Sequence, residues 1–311
     1  MKINIPLTVP KSKEKEYIKN FKTATRGTGK MMMFAGDQKV EHLNDDFYGK
    51  GIPKEVADPE HYFRIANEAK IGVFATQIGL LAKYGRDYPN IPYLIKINSK
   101  TNLVTEKLKD PMSKRWLHMH ELIEFKKQSG LNIVGVGYTI YIGSAYEADM
   151  FGQAARIIMK AHQAGMLSVI WIYSRGKAVS KMDQSNIHLI AGGAGVAVCL
   201  GTDFVKVNYP YQNKSAKKTA KDFKEVVAAA GRSKVIPIGG SKQSCDNFLQ
   251  CIHNQIHISG TQGIAVGRNV YQRPLEEAIR MANAISAITL YNYSVKDAYN
   301  IFTGKKKLKI K

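Results

Sequence analysis

Eight short apolar runs punctuate the chain, each bounded by glycine, proline or asparagine: residues 31–36, 71–77, 91–98, 132–141, 168–173, 203–209, 234–240 and 263–269. They are rich in Val, Ile and aromatic residues and nearly continuous in their apolarity, which is the pattern of strands buried on both faces. Segments with helical spacing lie between them. Residues 59–69 place Tyr62, Phe63, Ile65 and Ala66 on one side, and residues 148–165 repeat Met150, Ala154, Ile157, Ile158 and Ala161 before Gly165 offers a C-cap. Residues 186–200 are apolar almost all round, as in a helix packed between a sheet and its neighbours. Residues 215–230 set a lysine-rich face against Ala216, Phe223, Val226 and Val227, and residues 116–129 and 274–291 also read as helices.

Strands alternating with helices at intervals of roughly 30 residues predict repeated βαβ units and a parallel sheet. Eight such units are the number required by a (β/α)₈ TIM barrel, so the predicted fold class is α/β, one barrel domain over residues 31–285. Residues 1–30 read as a polar leader with some helical character, and residues 286–311 as a helix end followed by a frayed basic tail. No interior linker stands out. Residues 49–59 form a loop that could serve as a lid, and residues 98–117 a polar loop leading into the helix.

Composition narrows the classes. With 311 residues, 44% of them apolar and spread throughout, the chain can bury a large core, which argues against disorder. Cys199, Cys245 and Cys251 are too few for a disulfide scaffold, and neither a signal-peptide run nor a membrane-spanning stretch is visible. A cytoplasmic protein is expected, with no membrane partner. The formal charge of +21 admits a polyanionic partner. The basic clusters 11–15, 214–221 and 305–311 lack interleaved aromatics and zinc-finger spacing, so solvated surface is the expectation and nucleic acid is not.

In a barrel, reactive side chains belong at the C-terminal ends of strands. Alternation in the run 203–209 puts Phe204, Lys206 and Asn208 on one face and Val205 and Val207 on the other. A lysine flanked by two valines in a buried strand cannot easily reach water, and burial disfavours its charged form. An amine made neutral in this way can attack a carbonyl and form a Schiff base. Lys96, with Leu94 and Asn98, repeats the pattern, and two inward lysines would each disfavour the charge of the other. Alternatively Lys96 pairs with an inward carboxylate such as Asp37, or the register is shifted by one residue. Two late loops suit a phosphate: PIGGSK at residues 237–242 and Gly267-Arg268-Asn269. Their glycines let backbone N–H groups approach an anion, while Lys242 and Arg268 supply charge.

These residues bring a family into view. GTDFVKVNYP, PIGGSK and GTQGIAVGRNVYQRP, in that order, resemble the archaeal-type class I fructose-bisphosphate aldolases. WIYSRG at residues 171–176 looks like that family's W-x-Y-P-R-G, with Ser174 where proline is usual, and GSAYEADM at 143–150 is similar to its G-S-x-x-E-x-x-M. The resemblance spans roughly residues 31–271. It implies that Lys206 forms the Schiff base, that Tyr173 gives and takes the proton during carbon–carbon cleavage, and that Asp37 orients sugar hydroxyls. It further implies that Trp171 positions the carbon chain; Lys96, by its own strand pattern, is a further candidate for substrate binding. Gly239, Gly240, Ser241, Gly267 and Arg268 would hold one phosphate of a sugar-phosphate substrate. No cofactor and no metal are implied, because the protonated imine is itself the electron sink, and a homo-oligomer is expected. One departure stands out: the family's D-H-G-x-x-x-G-P loop here reads GDQKVEH, with Gly51-Ile52-Pro53 only after a polar insertion. His42 and Lys39 are therefore candidates for the distal phosphate, and the preferred sugar stays open.

The remaining constellations are bland. His253 and His257 lack the intervening Glu of a zinc hydrolase, and Cys245 and Cys251 lack metal-pair spacing. His118 and His120 suit a surface helix start, and the glycines at 192–195 lie inside a helical segment. Two other readings remain beside the aldolase: a transaldolase-like synthase or autoinducer thiolase on the same lysine, and a basic binder of nucleic acid or an anionic surface.

Overall fold

The computed structural model describes residues 3–103, 110–210 and 215–310; Lys214 and Lys311 of the basic clusters, residues 104–109 of the polar loop and the first two residues lie outside the described residues. Among the described residues the strands are β1 (Met31–Ala35), β2 (Val73–Thr76), β3 (Tyr93–Lys96), β4 (Ile133–Ile142), β5 (Leu167–Ser174), β6 (Phe204–Val207), β7 (Lys234–Pro237) and β8 (Gly263–Val266). The helices are α1 (Glu14–Ala24), α2 (Glu60–Glu68), α3 (Ile78–Tyr84), α4 (Met119–Ser129), α5 (Glu147–Gln163) and α6 (Ile187–Cys199). They continue as α7 (Ala216–Asp222), α8 (Lys224–Ala229), α9 (Cys245–Asn254), α10 (Arg268–Tyr271), α11 (Leu275–Tyr291) and α12 (Val295–Phe302). No helix among the described residues is long and apolar enough to cross a membrane.

Each strand pairs in parallel with the next, and β1 also pairs with β8. The circle closes through an Ile238–Ala265 bridge, with Gly239 N–H donating to the Ala265 carbonyl at 2.7 Å and Gln262 N–H to that of Val235 at 2.9 Å. This is the (β/α)₈ barrel that the eight apolar runs imply. Strand alternation divides its residues between two cores. Met31, Met33, Ala75, Leu94, Val169, Trp171, Phe204, Ile236 and Ala265 fill the interior. Met32, Phe34, Phe74, Ile95, Ile170, Ile172, Val205, Val207 and Val235 face the helices.

The N-terminal segment covers the barrel end where the strands begin. Helix α1 delivers Tyr17, Phe21 and Ala24 to the interior cluster, and the Phe21 ring stacks on Phe204 at 5.8 Å between centroids. Burying each such ring contributes about 1.5–3 kcal/mol. The Tyr17 hydroxyl donates to Asp203, whose second oxygen accepts from Ser168 N–H at 2.8 Å and lies 3.0 Å from His162 Nε2. The other nitrogen of His162 meets the Thr8 hydroxyl at 2.6 Å. The segment that reads as polar by composition thus carries a narrow apolar stripe and a buried polar latch.

Two expectations are corrected. The single helix over 215–230 is interrupted at Phe223, giving α7 and α8; the residue keeps to the expected apolar face, its ring 4.8 Å from that of Tyr209. The helix expected over 274–291 is α11, but the tail beyond it is not frayed throughout: α12, capped by the Ser294 hydroxyl accepting from Asp297 N–H, buries Ala298 and Ile301. Residues 303–307 beyond it are exposed without interruption.

Candidate active site

The C-terminal ends of β1, β3, β5 and β6 converge on one indole. Trp171 pairs in register with Lys206, and Lys96 pairs with Gly137 on β4. A Cβ at residue 137 would fall 2.1 Å from a carbon of the Trp171 ring, so the glycine leaves the space in which the indole lies. The Nζ atoms of Lys206 and Lys96 sit 4.9 and 5.6 Å from the ring centroid.

The two lysines differ in state. Lys206 is 5% exposed and makes no ion pair among the described residues. Burial pulls its pKa down from the usual 10.5; the charge of Lys96 adds to this, Asp37 and Glu41 act against it, and the result is about 8. Lys96 is equally buried, yet its pKa is raised. Burial opposes its charge, but the carboxylates of Glu41 and Asp37 outweigh that penalty. Its Nζ lies 3.1 Å from Asp37 Oδ2 and contacts Glu41 Oε1. The expectation that each lysine would weaken the other's charge therefore holds for Lys206 alone, because the carboxylates favour Lys96.

Asp37 follows β1, and its carbonyl accepts from Gln77 Nε2 at 2.6 Å. Burial would raise its pKa, but the cations of Lys96 and Lys206 hold it below the ordinary carboxylate value. Its Oδ1 is buried and meets no hydrogen-bond donor among the described residues, and neither does the indole N–H of Trp171 meet an acceptor. Buried polar atoms left open in this way mark places where a ligand's hydroxyls can bind. Tyr173, two residues beyond Trp171 on the same face of β5, has its phenol held protonated well above neutral pH, chiefly by burial. Its ring lies 6.4 Å from that of Tyr141 and 5.1 Å from the Arg175 guanidinium.

The two late loops are bound to each other. Asn269 Nδ2 donates to the carbonyls of Gly239 at 2.9 Å and Ser241 at 3.0 Å, while its Oδ1 accepts from Gln243 N–H at 2.9 Å. Gly240 takes a φ of +67°, which glycine adopts without strain. Arg268 Nη1 lies 3.7 Å from Asp46 Oδ2, and Lys242 donates to the Gln272 carbonyl at 2.7 Å. Gly239, Gly240, Ser241, Gly267 and Arg268 are thus together on one side of the barrel mouth, with Lys206 next to them on β6.

The two candidates for the distal phosphate are engaged by neighbouring side chains. His42 Nδ1 lies 2.5 Å from Asp46 Oδ2, the carboxylate Arg268 also faces, and Lys39 sits over the Phe47 ring at 4.7 Å. Sequence reasoning missed Glu41, which no strand periodicity marks, and Ser99, whose hydroxyl donates to Glu41 at 2.5 Å. Asn269, within the expected phosphate loop, has the further role of tying the two loops together through its amide.

Residues 31–273 match the DeoC/LacD family aldolase profile. The chain is 53% identical over 305 residues, 98% of its length and 96% of the relative's, to the fructose-bisphosphate aldolase/6-deoxy-5-ketofructose 1-phosphate synthase of Methanocaldococcus jannaschii. A solved fructose-bisphosphate aldolase from Slackia heliotrinireducens superposes with a TM-score of 0.95 at 47% identity, covering 100% of this chain and 96% of that one. An archaeal fructose-1,6-bisphosphate aldolase, solved with its catalytic lysine covalently bound to the carbinolamine intermediate of the substrate, superposes at 0.73 with 30% identity over 88% of this chain and 99% of that one. By profile, sequence and fold together, the chain belongs to the DeoC/LacD family of aldolases, among its archaeal-type class I fructose-bisphosphate aldolases.

Proposed function

We propose that the protein is a Schiff-base aldolase that reversibly cleaves fructose 1,6-bisphosphate to dihydroxyacetone phosphate and glyceraldehyde 3-phosphate, with Lys206 as the nucleophile. The observation that carries this reading is the pair of inward lysines over Trp171, one held charged by two carboxylates and the other titrating near 8. In this account the neutral amine of Lys206 attacks C2 and loses water to give an iminium. The bond between C3 and C4 then breaks, its electrons passing into the iminium as an enamine, while the C4 hydroxyl gives up its proton. Tyr173 relays protons at this step and at C3 of the enamine. Its phenol is protonated at neutral pH, so it takes a proton only as it passes its own on. Asp37 Oδ1 and the indole N–H of Trp171 receive the sugar hydroxyls, and Lys96 fixes Asp37 in place. Gly239, Gly240, Ser241, Gly267 and Arg268 take the C1 phosphate, for which Arg268 leaves Asp46.

The relative from M. jannaschii favours a second activity at the same site. Cutting 6-deoxy-5-ketofructose 1-phosphate between C3 and C4 yields dihydroxyacetone phosphate again, together with methylglyoxal, a three-carbon ketoaldehyde without phosphate. The two reactions share the donor bound to Lys206 and differ at the acceptor. The protein, incubated with fructose 1,6-bisphosphate in EDTA, is expected to release both triose phosphates, and with methylglyoxal added to form the deoxyketose phosphate. Absence of dihydroxyacetone phosphate in every such incubation would overturn the proposal.

A further inference from the structure

The carboxylate of Glu41 has no part in the chemistry just described, yet it lies within the mouth. It reaches Lys96 Nζ directly, accepts from the Ser99 hydroxyl at 2.5 Å, and keeps 16% of its side chain exposed. Its backbone is pinned as well: Asn102 donates to the Glu41 carbonyl from its N–H at 3.2 Å and from its side-chain amide at 3.1 Å. A loop residue held from both ends in this way presents its charge at a fixed place.

That place lies at the acceptor end of the substrate. With the C1 phosphate on the loops after β7 and β8 and C2 on Lys206, carbons 4 to 6 extend toward β1, β3 and β5. There Asp37, Lys96 and Tyr173 stand, and Glu41 contacts Lys96. When the acceptor arrives the donor on Lys206 is an uncharged enamine, and the charged groups in this part of the site are two cations, Lys96 and the Arg175 guanidinium beside Tyr173, and two carboxylates, Asp37 and Glu41. The site is then neutral where the acceptor's far end arrives. Without Glu41 it would carry one net positive charge, which attracts a phosphate dianion and is indifferent to an uncharged aldehyde.

We infer that Glu41 determines which acceptor the enamine takes: its charge offsets that of Lys96, so that an unphosphorylated aldehyde competes with a phosphorylated one. The inference rests on the aldolase reading of Lys206 and adds to it a residue that sets specificity without touching the bonds being made.

The test is condensation with a common donor. With saturating dihydroxyacetone phosphate, kcat/KM is measured for glyceraldehyde 3-phosphate and for glyceraldehyde, which differ by the phosphate alone, in the wild type, Glu41→Gln and Glu41→Asp. Glu41→Gln is expected to raise the ratio of phosphorylated to unphosphorylated acceptor about tenfold, the scale of one like-charge contact in a partly solvated site. Glu41→Asp keeps the charge and is expected to keep the wild-type ratio. If both acceptors change by the same factor in Glu41→Gln, Glu41 merely positions Lys96 and the inference is overturned. Should Glu41→Gln fail to fold, the wild type decides: a preference for the phosphorylated acceptor above about a hundredfold overturns the inference, and a smaller one supports it. Borohydride trapping of dihydroxyacetone phosphate on the wild type separates the two failures, because the aldolase reading itself fails if no adduct forms.

Discussion

Lys96 and Lys206 lie over the same indole, 5.6 and 4.9 Å from the centroid of Trp171, and the carboxylates of Asp37 and Glu41 sit against Lys96 alone. This asymmetry turns two buried amines into one fixed cation and one amine that can be neutral. The fixed cation also supplies part of the field that keeps its neighbour's proton loosely held.

The pH dependence follows with its sign. An amine titrating at about 8 is neutral in about one molecule in ten at pH 7. For fructose 1,6-bisphosphate, kcat/KM is therefore expected to rise about tenfold per pH unit below 8 and to level off above it. A pH–rate profile checks this, and a limb that keeps climbing to pH 10 would show a lysine with its ordinary proton affinity.

Lys96→Met removes the cation and leaves Asp37 and Glu41 facing Lys206. Both carboxylates favour a charged Lys206, so its pKa is expected to rise and the pH–rate limb to move at least one unit alkaline. At pH 7 kcat/KM should fall tenfold or more, with part of the loss recovered at pH 9. Stranding two carboxylates should also cost about 3–5 kcal/mol of stability, visible in denaturant melts.

Tyr173→Phe keeps the ring in its packing against Tyr141 and deletes the hydroxyl. Loss of a positioned proton relay is expected to lower kcat about 10²–10⁴-fold. Borohydride should still trap dihydroxyacetone phosphate, because the amine is intact. Near-normal turnover would remove Tyr173 from the mechanism.

The barrel is legible in the sequence because both faces of its strands are buried, so each strand is a bounded apolar run with a side-chain period of two. The same alternation places Lys206 beside Phe204 and Lys96 beside Leu94, facing inward. What stays hidden depends on the third dimension. Glu41 sits in an irregular loop, and nothing in its neighbours announces that the chain will bring it to Lys96, 55 residues away. The leader looks polar because a plug needs only a few apolar residues: Val9, Tyr17, Phe21 and Ala24, with Ile3 and Ile5 packed against them, cover the barrel end.

Tyr17→Phe tests the plug. It keeps the ring in the interior and removes the hydroxyl that Asp203 accepts from, leaving a buried carboxylate with one partner fewer. A loss of about 1–2 kcal/mol is expected, lowering the melting temperature by a few degrees, with kcat unchanged. A change in kcat at constant stability would mean that the leader acts on the far mouth.

The most direct measurement is reduction with borohydride in the presence of fructose 1,6-bisphosphate, followed by peptide mapping. One stable adduct is expected, on Lys206, at a rate that rises through pH 8. An adduct on Lys96, or no adduct on a folded and saturated protein, would contradict it.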